Sequence, residues 1–70
     1  MQSKLHRQVA NAIRDHLTRR GWEQYRLADH AGIGRSHLSR LLNLQQSPTL
    51  GTLEKLAEAL GVSVRDLLPP

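Results

Sequence analysis

The sequence predicts an all-α fold, a compact bundle of about five short helices, and three observations carry that expectation. Apolar residues recur at helical spacing in several separate segments of the 70-residue chain. Gly21, Gly32, Pro48 and Gly61 interrupt those segments at short intervals, where helices stop or restart. Between Gln24 and Asn43, in QYRLADHAGIGRSHLSRLLN, two such segments meet across Gly-Ile-Gly.

That last stretch reads as two helices joined by a tight turn. Leu27, Ala28 and Ala31 form an inward stripe on the first, and Leu38, Leu41 and Leu42 form one at i, i+3, i+4 on the second. Gly32 stands where two steeply crossed helices need positive φ, a geometry that costs other residues about 1 kcal/mol or more. Ile33 fills the elbow. Helices crossing this closely leave room for only a methyl group on the facing turn, which Ala28 supplies. A helix-turn-helix at about residues 24–43 is the economical reading.

The remaining elements come in chain order. Ser3 caps a first helix in which Leu5, Val9, Ile13 and Leu17 recur at i, i+4, and Arg20-Gly21 closes it. Trp22 stands at the junction; in a chain without Phe its expected role is to cover the core. Ser47-Pro48-Thr49 breaks the chain and caps it again. A fourth helix then carries Leu50, Leu53, Leu56, Ala57 and Leu60 on one side, with Glu54 and Glu58 toward solvent, and stops at Gly61. Ser63 caps a last short turn with Val64, Leu67 and Leu68, which Pro69-Pro70 forbid from continuing.

Length and composition bound the function. Seventy residues make one domain, 1–70, whose core is only marginally adequate unless the helices pack efficiently or the chain associates. Without cysteine there is neither a disulfide framework nor a thiolate metal site. No apolar run approaches the ~20 residues of a membrane span, and a signal-peptide core is absent at the start, so a cytoplasmic protein with no membrane partner is expected. The net charge of +4 is uneven. Residues 1–20 hold five Lys/Arg against one Asp, residues 21–46 three Arg against two acids, and residues 47–70 two cations against three acids. The positive charge lies on the first two thirds, as a polyanion-binding face requires; the alternative is a solubilising surface.

Catalysis is not expected. His6, His16, His30 and His37 show no i, i+4 pair, so metal-ligand spacing is lacking. Asp29-His30 and Ser36-His37 are helix neighbours that do not face each other. Nothing in the sequence calls for a cofactor or a small-molecule ligand.

The spacing of the two central segments is similar to that of a known motif. Ala28 stands at the fifth place, Gly32 at the ninth, and Ile33, Leu38 and Leu41 at the buried places of the DNA-binding helix-turn-helix. With Gln24, Ser39, Pro48-Thr49-Leu50, Thr52 to Ala57 and Leu60-Gly61-Val62-Ser63 in order, the chain from about Leu17 to Leu68 resembles the Cro and lambda-repressor-like (XRE) family. Two regions depart from its pattern. Glu23 replaces the frequent Ser or Thr N-cap, and Leu42 and Leu44 stand where the family usually has an acidic residue and then Gly. The loop from Asn43 to Ser47 is therefore open to its own conformation.

The resemblance implies that the third helix enters the major groove of double-stranded DNA. With Leu38, Leu41 and Leu42 inward, 100° per residue turns Ser36, Arg40 and Asn43 to the opposite side, with His37 and Ser39 on the flanks. Arg35 and Arg40 are expected base readers suited to guanine O6 and N7, and Arg35 is assigned by the resemblance alone. Ser36 is a further reader without base preference. His37 is open between a base contact and an exposed place at the groove edge. Gln24 and Asn43 match family positions that clamp phosphate, which fixes register without reading sequence. Tyr25, Arg26, Ser39 and Arg19 are further candidates for backbone contact, with Arg19 and Arg20 equally explained as helix C-terminal charge.

By this resemblance the chain is expected to be a transcriptional regulator, in particular a repressor bound as a homodimer to a two-fold operator. Val62, Val64, Leu67 and Leu68 either form the dimer surface or close the core. Two other readings compete: a protein-interaction or antitoxin-type module, and the DNA-binding head of a longer protein.

Overall fold

A computed structural model describes residues 3–69 and contains four α-helices. These are α1 (Lys4–Arg20), α2 (Gln24–Ala31), α3 (Arg35–Leu42) and α4 (Leu50–Leu60), followed by a 3-10 turn at Val64–Leu67. The expected fifth helix is thus that single turn. Gly61 ends α4, and Pro69 lacks the N–H that a longer helix would use, so the intervening residues have room for one turn only. It is pinned by Asp66, whose carboxylate accepts from the Ser63 backbone N–H at 3.0 Å and its hydroxyl at 3.1 Å.

Local chemistry sets the helix starts. The Ser3 hydroxyl accepts from the His6 N–H at 3.0 Å and the Thr49 hydroxyl from the Thr52 N–H at 3.1 Å, each satisfying one orphan donor. Glu23 makes no side-chain cap at α2. The ends of α1, α2 and α4 share one device: a Gly at φ 65–72°, followed by an apolar residue whose N–H reaches back to close the last turn. Trp22, Ile33 and Val62 make those closing bonds to Leu17, Ala28 and Ala57 at 2.9–3.0 Å, and all three pack against the core.

The core is assembled from every element. Val9, Ala10, Ile13 and Leu17 of α1 meet Leu27 and Ala28 of α2, Leu38, Leu41 and Leu42 of α3, Leu53, Leu56, Ala57 and Leu60 of α4, and Leu67. α2 packs on both α3 and α4, while α1 packs on α3 and the 3-10 turn. No helix among the described residues is long and apolar enough to cross a membrane.

Two expected core positions are not buried. Leu5 is 51% exposed, because each i, i+4 step overshoots a full turn by 40° and the accumulated rotation carries Leu5 off the face that holds Leu17. His6 takes the inward place. Leu50 is 66% exposed, whereas Thr52 and Leu53 in the same first turn of α4 are buried, so the covered face of that turn passes through those two residues and not through Leu50. At the other end of the chain Leu67 is fully buried and closes the core, whereas Leu68 is exposed, so the apolar C-terminal residues are divided between the two roles the sequence left open.

Ala28 has no exposed surface and lies on the helix that contacts both α3 and α4. Ala28→Val is expected to cost about 1–3 kcal/mol through overpacking. The exposed change Glu58→Gln should stay within about 0.5 kcal/mol. Thermal denaturation of the two variants beside the parent chain checks the difference.

Candidate nucleic-acid interface

α3 has one face committed to the core and one free of it. Leu38 and Leu41 are fully buried and Leu42 nearly so, while Arg35, Ser36, Arg40 and Asn43 are exposed and His37 and Ser39 lie half-buried between the two faces. Arg35 is the first residue of the helix.

Contacts from α1 hold this helix from behind. The buried His6 ring donates through Nε2 to the Leu41 carbonyl at 2.9 Å; a carbonyl only accepts, which fixes the proton on that nitrogen. Arg14 donates through Nη2 to the Leu42 carbonyl at 3.2 Å and to Asn43 Oδ1 at 3.3 Å, and Asn43 in turn donates to Ser39 Oγ at 3.4 Å. Arg14 and Gln24 also line one shallow groove between the end of α1 and the start of α2. Of the two expected phosphate clamps, Asn43 thus bonds to Arg14 and Gln24 shares a groove with it.

The loop after α3 repeats the helix-ending device with one change. The Leu44 N–H reaches Leu41 at 3.2 Å and the Gln45 N–H reaches Arg40 at 2.8 Å, yet the residue at φ 64° is Leu44, the one non-Gly residue with positive φ among those described. Its side chain packs half-buried against the core, which offsets the backbone strain. The same loop returns Gln46 to Arg40, whose Nε donates to Gln46 Oε1 at 3.2 Å.

At the other end of α3 the Arg35 guanidinium is held on two sides by α2. Asp29 accepts from Nε at 3.0 Å and from Nη2 at 2.7 Å, and the Tyr25 ring centroid lies 5.0 Å from Arg35 Cζ. Hydrogen bonding from Arg35 holds the Asp29 carboxyl below the usual carboxylate range, and the same bonds raise Arg35 above its ordinary value. Both are charged at neutral pH.

A model of the helix-turn-helix family HTH_3 matches residues 13–67. The chain belongs to this XRE-type family. It is 36% identical over 61 residues to the HTH-type transcriptional regulator SinR of Bacillus subtilis, an alignment covering 86% of this chain and 55% of SinR. The chain spans about half the length of that regulator. Among solved structures, the hypothetical transcription factor NHTF from Neisseria superposes with a TM-score of 0.90 at 33% identity, covering 96% of this chain and 77% of that one. The restriction-modification controller protein C.AhdI from Aeromonas hydrophila gives a TM-score of 0.83 at 29% identity, covering 89% and 94%.

Within this family fold the expected site residues separate into groups. Arg35 and Tyr25 come together at the start of α3, and Ser39 and Asn43 at its end, with Ser36 and Arg40 on the exposed face between. Arg26 stacks over the Trp22 ring with Cζ 4.6 Å from the centroid, and His30 stacks against the same indole. Arg19 pairs with Asp15 at 2.6 Å within α1, and Arg20 bonds to the Leu60 carbonyl and to His16. Sequence reasoning missed Arg14 and Asp29. Twenty-nine residues separate Arg14 from Asn43, and no periodicity links them; Asp29 and Arg35 are opposite charges flanking the turn, a signal that acquires meaning only once the turn geometry is known.

Leu44→Val places a β-branched side chain at positive φ and is expected to lower stability by about 1–3 kcal/mol. Leu44→Gly relieves the strain but loses half-buried packing, so it should remain within about 1 kcal/mol of the parent. Denaturant melts of both variants distinguish these outcomes.

Proposed function

We propose that the chain is a sequence-specific DNA-binding transcriptional regulator that acts as a repressor, bound as a homodimer to a two-fold operator with α3 in the major groove. The carrying observation is the division of α3 into a fully buried apolar face and an exposed face bearing Arg35, Ser36 and Arg40. Eight helical residues span about 12 Å, the width of the major groove. Membership in a family whose named relatives include transcriptional regulators supports the same reading.

The size of the chain favours a dimer. Half-sites on one face of the duplex are about 34 Å apart, and the described residues extend 28 Å between Cα atoms along their longest axis, with one candidate recognition helix among them. Two chains are needed to read both half-sites. In this reading Gln24 and Asn43 clamp phosphates, and Tyr25, Arg26, Ser39 and Arg19 lie toward the backbone.

Selection from a random duplex pool followed by titration tests the proposal. The chain should prefer duplex to single strands, and log K should fall with log salt by about 0.9 for each phosphate neutralised. A binding curve insensitive to salt would refute it.

Reading and clamping separate by mutation. Arg40→Ala should cost about 1–3 kcal/mol on the selected site and relax the preference at one base pair per half-site. Asn43→Ala should weaken good and poor sites by similar factors with little change in salt slope, because the lost contact is neutral and blind to sequence. Binding to the selected duplex and all its single-base variants measures both.

A further inference from the structure

The geometry points to Asp29 as the residue that positions Arg35 for reading guanine, setting the base preference at one position of each half-site without itself touching DNA. This rests on the proposed DNA-binding reading and assigns a specificity role within it. A guanidinium carries five N–H donors in a planar fork. Asp29 occupies Nε and one hydrogen of Nη2, leaving the far edge of Nη1 and Nη2 unblocked by that carboxylate. That far edge is the one whose parallel N–H bonds match guanine O6 and N7.

Tyr25 completes the mount. Tyr25 and Asp29 are one turn apart on the same face of α2, so one supports the guanidinium plane and the other grips its edge. The Asp29 and Arg35 side chains are 51% and 64% exposed, and exposed ion pairs of this kind contribute little to stability. The consequence lies instead in order. An unrestrained Arg at the mouth of α3 would sample many rotamers and reach phosphates or several bases, whereas a gripped one presents two donors in one direction and is rejected by the adenine N6 donor.

The test compares the parent chain with Arg35→Ala, Asp29→Ala, Asp29→Asn and the Arg35→Ala/Asp29→Ala double variant. Each is measured on the duplex selected from a random pool by the parent chain and on every single-base change of it. Arg35→Ala should reduce discrimination at one base pair per half-site by about 5- to 150-fold. Asp29→Ala should lose most of that same discrimination and no other, while its affinity for unselected duplex holds or rises because a negative charge has gone. Asp29→Asn, with one accepting oxygen, should fall between parent and Asp29→Ala, and the double variant should match Arg35→Ala. Equal melting temperatures confirm that all variants fold. If Asp29→Ala shifts affinity equally on all duplexes and keeps the base preference, the positioning role is refuted while Arg35 remains a reader. If Arg35→Ala alters no base preference, the reader assignment itself falls, and the role of Asp29 with it.

Discussion

The contact of α2 with α3 around Ala28 is the constraint on which the rest of the structure depends. Leu27, Ala28, Leu38 and Leu41 are all without exposed surface, so the two helices meet through side chains that have no alternative place. Their crossing is made possible by Gly32 at φ 71°, and Ile33 seals the corner by bonding back to Ala28. With that corner set, the exposed face of α3 is turned outward and its first residue is delivered to Tyr25 and Asp29 of α2. A larger residue at Ala28 would act on both consequences at once, since interiors at native density transmit a displaced helix to its neighbours.

Economy of helix endings lets so small a chain hold together without disulfides. Four helices use one closing geometry, and in three of them the residue after Gly is apolar and joins the core, so the same two residues end a helix and add buried surface. At the end of α3 the pattern is inverted: Leu44 takes the left-handed conformation and supplies the apolar contact itself, while polar Gln45 makes the closing bond. The strained residue is next to Asn43, on the loop that carries Gln46 to Arg40. Such strain is maintained where the surrounding packing over-determines the backbone.

Most of the positive charge of the first two thirds is not a loose coat. Arg14, Arg19, Arg20, Arg35 and Arg40 each have a hydrogen-bond or ion-pair partner within the chain, and Arg26 lies over an indole. Such contacts are individually weak at an exposed surface. Together they restrict long side chains, which would lower the ordering cost of the association proposed above. His6 and Arg14 extend the same logic to the backbone, since they bond to the Leu41 and Leu42 carbonyls in the last turn of α3, the former of which also accepts from the Leu44 N–H.

Periodicity and punctuation in the sequence were sufficient for the helices, the elbow at Gly32, the buried leucines of α3 and the outward set Ser36, Arg40 and Asn43, because these depend on neighbours within a turn or two. Leu5 and Leu50 show the limit of that reasoning: a helical stripe says which residues share a face, and only the neighbouring elements decide whether that face is covered. His6 was indistinguishable by sequence from an exposed histidine until the Leu41 carbonyl stood beside it. The length of the last element was settled by the short interval before Pro69. Arg35, placed by resemblance, gained its grip from Asp29 and its support from Tyr25 only when α2 and α3 crossed. Local composition determined which helices form and which faces they offer; three-dimensional packing alone decided which residues meet, since a contact between side chains six or thirty residues apart depends on the path of the backbone between them.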